Sequence, residues 1–465
     1  MSKPGSSSSS PGWLSSIVDQ WRHRLRRWRP KPQRVEEPRE RLRVQTEIIR
    51  RAFDGAVSSA GADGGLTRDD ADTAYLFRPD HLLVRADSID AVADYLASRP
   101  DTYQGELERV AQPTEGLVLT RLPVRRDHGD PVLSTLDDLD RAFPRDAGGS
   151  PVASPDHIVY VTYPRMCPAT EPEEPKSRRP WPPPATRAGR VPRSGQVRVA
   201  VVDTGLWTDA VGSPHSPWLT VGDVVADPSD VETVDSSAIH AYAGHGTFVA
   251  GVISCLAPGT RIEVEGVLVH GGAVYESEIV QQLQEAIDDD DRPQVISISA
   301  GTHTRGDFAP LGFELLGESN KLGAREDVLI VAAAGNDASD KPFWPAAFDW
   351  VVSVGSVDPD AGVSDFSNVG PWVDVYARGR DVVNAFPKGT YTCYEPPHVG
   401  EVRTFDGLAR WSGTSFSTPV VTGLIAARMR ETGQSAREAW RDVLAGATAA
   451  SDPRGGAIRI VGPLT

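Results

Sequence analysis

Cysteine is scarce in this chain, with three among 465 residues, and their odd number excludes a fully paired disulfide framework. Long apolar runs are also missing: no stretch of 18 apolar residues occurs, which excludes a transmembrane helix. Positively charged residues are fewer than negatively charged ones: the chain has 48 Lys and Arg and 64 Asp and Glu, which gives a net charge of −16. An acidic chain is a poor general binder of nucleic acid, so we expect no nucleic-acid partner.

The amino-acid composition is that of a globular protein. Hydrophobic residues make up 39% and charged residues 24%, and the length suggests two to four domains of about 100–200 residues each. A chain of this size buries a substantial core, so it needs no disulfide or metal ion in order to fold.

The N-terminal region is positively charged, in contrast to the chain as a whole. Residues 1–50 hold 12 Lys and Arg against 5 Asp and Glu. Apolar residues between Trp13 and Trp28 recur at three- and four-residue steps among arginines, which indicates a short basic amphipathic helix. Such a helix would give weak contact with a membrane surface or a partner, whereas the favoured alternative is a solvated basic arm. We assign residues 1–76 to a basic, largely flexible arm.

No secretory signal is recognisable in this arm. Pro30, Lys31 and Pro32 follow its basic residues, where a signal peptide would need an apolar stretch of about 7–15 residues. This favours a cytoplasmic location and leaves export by another route open.

Residues 77–163 predict a small α+β domain. Their apolar patterns alternate between the strand and helix periods in the order β-α-β-β-α-β, which is the ferredoxin-like split motif. Residues 164–196 then contain nine prolines among charged residues, a composition typical of an extended linker.

Residues 197–465 predict a larger α/β domain. Its apolar, β-branched runs alternate with helical segments such as Glu276 to Ile287, which favours a doubly wound, mostly parallel sheet covered on both faces. The runs are Val197 to Asp203, Ile262 to Val269, Val295 to Ser299 and Val328 to Ala334.

Four short motifs in this domain carry polar groups at strand ends or helix starts. They are Asp203-Thr204-Gly205, Gly244-His245-Gly246-Thr247, Ala332-Ala333-Ala334-Gly335-Asn336 and Ser412-Gly413-Thr414-Ser415. The first also matches the aspartic-protease triplet, but that chemistry needs two such carboxylates and the chain has no second Asp-Thr-Gly.

Together the motifs supply the parts of an acyl-transfer site. Ser415 is the candidate nucleophile and His245 its base, because a serine hydroxyl is weak without one. Asp203 would orient the imidazole and stabilise its charged form. Asn336 can donate its side-chain N–H to the oxyanion, with the backbone N–H of Ser415 as the second donor.

At this point residues 197–465 resemble the subtilisin-like serine proteases, the subtilases, whose Asp, His, Asn, Ser order they share. The resemblance implies a subtilisin-like fold and a serine endopeptidase that acts on polypeptides and requires no cofactor. It also implies a cleft in which an extended peptide adds as a strand. The positions implied to bind substrate are Ser299, Ala300, Gly301, Gly272, Ala333 and Gly335, although Gly272 fits an ordinary turn equally well.

Many subtilases carry a ferredoxin-like propeptide, so the resemblance implies that residues 77–163 are a prodomain and that the enzyme cuts itself between about Tyr163 and Arg193. The alternative is a permanent regulatory domain that holds a subtilase-like binding protein inhibited. Structural calcium is the remaining expectation, and Asp288 to Asp291 either bind it or form a solvated helix end.

Overall fold

The computed structural model describes residues 37–67, 69–144, 149–161, 171–186 and 196–465. In these residues the helices are α1 (Glu37–Ala52), α2 (Ile89–Ala97), α3 (Pro131–Ala142), α4 (His245–Leu256), α5 (Glu276–Asp288), α6 (Leu311–Ser319), α7 (Thr414–Thr432) and α8 (Ala436–Ala445). None of them is both long and apolar enough to cross a membrane.

The strands of the N-terminal half are β1 (Ser58–Gly61), β2 (Thr73–Arg85), β3 (Tyr103–Gln104), β4 (Glu108–Ala111), β5 (Leu117–Arg121), β6 (Val124–Arg125) and β7 (Ala153–Tyr160). The next are β8 (Arg198–Asp203), β9 (Val224–Val225), β10 (Arg261–Gly266), β11 (Ala273–Tyr275), β12 (Val295–Ile298), β13 (Leu329–Ala333) and β14 (Val351–Val357). The last are β15 (Val375–Arg378), β16 (Val382–Ala385), β17 (Gly389–Thr392), β18 (Val402–Phe405), β19 (Leu408–Trp411), β20 (Thr448–Asp452) and β21 (Gly456–Ile460).

The larger domain is built on a nine-stranded sheet in the order β20-β21-β15-β14-β13-β12-β8-β10-β9, parallel except for β20. Its central strands are fully buried runs such as Val295–Ile298 and Leu329–Ala333, as expected when helices cover both faces. Helices α4 and α7 pack against each other and against this sheet. The parallel arrangement brings the carboxyl ends of β8 and β13 to one edge, where a doubly wound fold forms its site.

The N-terminal sheet is antiparallel and follows the chain order β2-α2-β4-β5-α3-β7. In space its strands run β7-β2-β5-β4, and β1 pairs with β2. Helices α2 and α3 cover one face through a separate apolar cluster that includes Phe77, Val92 and Leu136. Leu83 and Leu119 belong to the main core together with residues of α5 and α6, so the two units share one apolar interface.

The region that the sequence predicted as a flexible arm is structured from Glu37 onward. Residues 37–52 form α1, residues 58–61 form β1, and β2 already begins at Thr73, so the predicted boundary at 76 falls inside a strand. The apolar face of α1, with Leu42 and Ile49, packs on groups far away in sequence, which explains why local composition did not predict it. The stretch from Trp13 to Trp28 lies outside the described residues.

Residues 171–186 of the predicted linker form neither helix nor strand, yet they are attached to the larger domain. Trp181 donates its backbone N–H to Val383 O at 2.8 Å and lies under the Arg378 guanidinium, whose Cζ is 4.2 Å from the ring centroid. Ala185 donates to Cys255 O at 2.7 Å. Proline removes donors from a chain but leaves its carbonyls and side chains free to pack, so this segment acts as a strap.

Candidate active site

The predicted carboxylate and histidine meet at the carboxyl edge of the large sheet. Asp203 ends β8, and His245 is the first residue of α4. His245 Nδ1 lies 2.7 Å from Asp203 Oδ1, and both side chains are fully buried. Gly244 places this helix start because its φ is +76°, and a methyl group there would lie 2.2 Å from Pro387 Cδ. A carboxylate bound to Nδ1 fixes the tautomer that presents Nε2 to a nucleophile.

Ser415 stands in the first turn of α7, but its hydroxyl does not contact the histidine. Ser415 Oγ lies 3.3 Å from both Ser299 O and Val161 O. His245 Nε2 is buried and has no hydrogen-bond partner in the described part of the chain. The serine hydroxyl is therefore turned toward a bound backbone segment, and no described residue forms a hydrogen bond with His245 Nε2. A catalytic hydrogen bond of this kind often tightens only when substrate is present.

Asn336 lies beside Ser415, the candidate nucleophile, with its carboxamide already oriented. Its Oδ1 accepts hydrogen bonds from Thr414 N at 2.9 Å and Thr414 Oγ1 at 3.1 Å. Because the carbonyl end is held in this way, the Nδ2 end is left to donate. The N-terminus of α7 adds its positive dipole end at the same place, which favours a developing negative charge.

The cleft predicted from Gly272 and from Ser299 to Gly301 is occupied by the end of the N-terminal sheet. Strand β7 pairs antiparallel with β11, so that Val159 opposes Val274. Tyr160 exchanges both backbone hydrogen bonds with Gly301 at 3.0 Å, and Val161 N donates to Gly272 O at 2.9 Å. The segment thus adds as a strand between two walls, as an extended peptide would. Ser299 Oγ in turn donates to Ser415 O at 2.8 Å.

Ala300, Ala333 and Gly335 are buried beside this cleft, and an aromatic ring that the sequence did not predict lies against Gly301 and Gly335. A methyl group at Gly301 would come within 2.3 Å of Phe343 Cε1, and one at Gly335 within 2.9 Å of Phe343 Cδ1. Phe343 therefore lies between Gly301 and Gly335 and requires glycine at both positions. Nothing in the local sequence marks this loop residue as part of the site.

The surroundings of His245 are apolar on one side and acidic on the other. The rings of Trp411 and Phe416 lie 5.3 Å from the imidazole, centroid to centroid, and exclude water. Glu232, also missed from sequence, accepts a hydrogen bond from Gly244 N at 2.8 Å. Burial and the nearby Asp203 charge raise the pKa of the Glu232 carboxyl well above its usual range.

Among the described residues no group of three or more His, Cys, Asp or Glu side chains is placed to hold a metal ion. Asp291, in the acidic run predicted as a calcium candidate, pairs with Arg198 just beyond α5. Calcium binding stays a prediction.

Comparison with known proteins gives consistent matches. The model of the subtilase family, Peptidase_S8, matches residues 194–460. An intracellular serine protease of Paenibacillus polymyxa is 30% identical over 248 residues, which cover 50% of this chain and 67% of that protein. A thermophilic serine proteinase of Bacillus sp. (strain AK1) is 30% identical over 246 residues, so the chain spans about half of that relative, 52%. Among solved structures, the prenylagaramide maturation protease PagA is 26% identical at a TM-score of 0.41, covering 55% of this chain and 85% of that one.

Proposed function

The chain belongs to the subtilase family of serine endopeptidases, and from that premise we propose that it cleaves peptide bonds through an acyl-enzyme formed on Ser415. The observation that carries the proposal is the fully buried Asp203–His245 hydrogen bond beside a cleft that already holds an extended backbone segment at the serine. The polypeptide substrate would lie where residues 158–161 lie.

The reaction follows from the positions of these groups. His245 Nε2 takes the hydroxyl proton while Ser415 Oγ forms a bond to the carbonyl carbon, and the oxyanion accepts hydrogen bonds from Asn336 Nδ2 and the Ser415 backbone N–H. Collapse breaks the C–N bond, and the imidazolium protonates the leaving amine. Water then attacks the ester by the reverse proton path and frees the enzyme. Asp203 holds the ring and stabilises its charge throughout.

We further propose that the N-terminal unit is a ferredoxin-like prodomain that inhibits the enzyme until the chain is cut and the N-terminal fragment is released. Its spatial strand order of β7-β2-β5-β4, with two helices on one face, supports the fold assignment. The carbonyl oxygen of its last described residue, Val161, lies 3.3 Å from Ser415 Oγ. We therefore propose that the cut lies within the two peptide bonds after Val161, slightly before the window that the sequence suggested.

The competing function is that of a permanently inhibited binding or regulatory protein. One observation favours it: Ser415 Oγ faces Val161 O and Ser299 O, and His245 Nε2 has no partner among the described residues. In an enzyme this state would be the latent one, whereas in a regulatory protein it would be the only one.

Intact mass and active-site labelling of the full chain decide between these functions. We expect wild type to lose the mass of its first 161–162 residues at neutral pH and to react with a fluorophosphonate probe. Ser415→Ala should do neither. Ser417→Ala is the matched control, because this serine lies one half-turn further along α7 and its Oγ is buried with no partner in the described residues. A wild type that stays full-length and unlabelled after prolonged incubation would establish the regulatory reading.

A further inference from the structure

A small cavity opens beside the catalytic histidine, behind the cleft wall. It is lined in part by Asp230, Glu232, His240, Tyr242, Leu268 and Gly272. Gly272 belongs both to this cavity and to the cleft, because its carbonyl accepts the Val161 N–H at 2.9 Å. The cavity is therefore next to the position of one residue of a bound peptide.

The side chain at that position lies against Gly272, on the wall of the cavity. A methyl group built on Gly272 would lie 2.7 Å from Val161 Cγ2 and 2.9 Å from Tyr242 Cδ2, so all three groups meet at the cavity wall. Valine is short and branched and stops at this wall. A longer unbranched side chain starting from the same Cβ would extend past Gly272 into the cavity.

The chemistry of the cavity is set by a buried carboxyl group with one oxygen unused. Glu232 Oε2 accepts the Gly244 N–H at 2.8 Å, whereas Oε1 is buried and has no hydrogen-bond partner in the described residues. The nearest cation candidate is His240 Nε2 at 3.9 Å from Oε1. Burial lowers the pKa of His240, so that ring is disfavoured as a cationic partner, and the same burial raises the pKa of Glu232.

An unpaired carboxyl oxygen in such a place is costly, and a cation would remove the cost. Burying a polar group without a partner is unfavourable, and burying a charge without one is more so. Asp230 adds a second carboxylate to the cavity lining, and its Oδ1 accepts Gly266 N at 2.9 Å. Lysine and arginine carry an apolar stem and a charged end, which matches a passage along Gly272 and Leu268 toward Glu232.

We propose that this cavity binds the side chain of a lysine or arginine in the substrate, at the position that Val161 takes in the bound N-terminal segment, with Glu232 as the recognition group. The inference rests on the proposed endopeptidase function and names its substrate class. It also gives the bound segment a physical role, because valine occupies the cleft without pairing Glu232. A cationic substrate would then compete well against the chain's own segment.

A peptide series read on the processed wild-type enzyme tests the proposal. Three peptides differ only at the residue corresponding to Val161, which is lysine, norleucine or glutamate, and norleucine matches the lysine stem without its charge. A charge-assisted hydrogen bond predicts a kcat/KM about tenfold or more higher for lysine than for norleucine, and still lower activity with glutamate. Glu232→Gln should reduce the lysine-to-norleucine ratio to near one, and Asp290→Asn, an exposed acidic control, should leave the ratio unchanged.

The outcomes separate the two proposals. Hydrolysis of none of the peptides would contradict the endopeptidase function itself. Equal hydrolysis of the lysine and norleucine peptides would overturn only the cation site, as would a lysine preference that survives in Glu232→Gln. If Glu232→Gln does not fold, the wild-type ratio still decides, because a ratio near one needs no variant to contradict the proposal.

Discussion

At the scale of single residues, Asn336 uses the two ends of its carboxamide for different purposes. Oδ1 is held by Thr414, and Nδ2 is the donor that we assign to the oxyanion. Asn336→Ala should lower kcat by about 10²–10³-fold, the range measured in subtilisin for removal of one such donor, with little change in KM. Steady-state kinetics on the processed enzyme measure this loss.

The variant Asn336→Asp distinguishes the role of Asn336 as an oxyanion donor from its role in holding Thr414. The aspartate keeps an oxygen for Thr414 but has no N–H to give, so its kcat should fall at least as far as that of the alanine variant. If Asn336→Asp retained the wild-type kcat, the residue would be holding the start of α7 rather than the oxyanion.

The individual site residues differ in how far sequence could predict them. Asp203, His245, Asn336 and Ser415 each lie in a short glycine-containing motif at a strand end or helix start, where local chain geometry limits the residue types. Phe343 and Glu232 lie in loops without periodicity, and they reach the site only through contacts with residues distant in sequence. Their roles depend on the three-dimensional fold, which one sequence does not give.

At the scale of elements, the strap of residues 171–186 depends on a buried carboxyl group. Glu171 accepts hydrogen bonds from Tyr391 Oη at 2.9 Å and Tyr394 N at 2.6 Å. Burial, and then the charge of Glu395, raise the pKa of Glu171 to about 8. The other ionisable groups that influence Glu171 or are influenced by it are Arg403, Cys393, Tyr391 and Tyr394.

This pKa predicts that attachment of the strap weakens as pH rises. The folded state binds the Glu171 proton more tightly than the unfolded state, so its stabilising contribution is complete below about pH 4.5 and is lost progressively up to about pH 8. Trypsin should therefore cut after Lys176 or Arg178 faster at pH 8.5 than at pH 6.5, after correction against a free peptide of the same sequence. In Glu171→Gln the corrected ratio should approach one, and an unchanged ratio would show that another group sets the pH dependence.

Helices and strands could be predicted from sequence where a regular apolar pattern within the element itself forms its buried face. Strands β8, β12 and β13 follow from continuous apolar runs, and α5 follows from its periodicity. Helix α1 did not, because its region was assigned from its positive charge. Gln45 on α1 donates to Glu395 Oε1 at 2.8 Å, a partner 350 residues away, and such a contact is not visible in the sequence.

At the scale of the whole molecule, the N-terminal region is attached to the larger domain at several separate places, three of which adjoin the cleft or the helix beside it. Strand β7 extends onto β11. Asp156 accepts hydrogen bonds from Ser277 N at 2.9 Å and Ser277 Oγ at 2.8 Å at the start of α5. Helix α1 lies against the wall of the cleft, where Ile48 Cγ2 would be 3.1 Å from a methyl group on Gly271. One cut after Val161 removes none of these contacts.

The molecule should therefore remain latent after the proposed cut, with the N-terminal fragment still bound. Ile48→Asp puts a charge into the buried contact of α1 with the cleft wall, so it should speed fragment release about tenfold or more. Arg51→Ala is the control on the same helix, where it removes only an ion pair with Glu47 one turn away.

Intact-mass measurements over time give the rate of the cut, and the delay before peptide hydrolysis begins gives the rate at which the N-terminal fragment is released. We expect the cut to occur at the same rate in wild type, Ile48→Asp and Arg51→Ala, because α1 does not touch the reacting groups. Only Ile48→Asp should shorten the delay. If activity instead appeared together with the cut in wild type, α1 would serve only to dock the N-terminal sheet during folding. The full chain carries a net charge of −16, and the enzyme would then work without its basic N-terminal arm from the moment of cleavage.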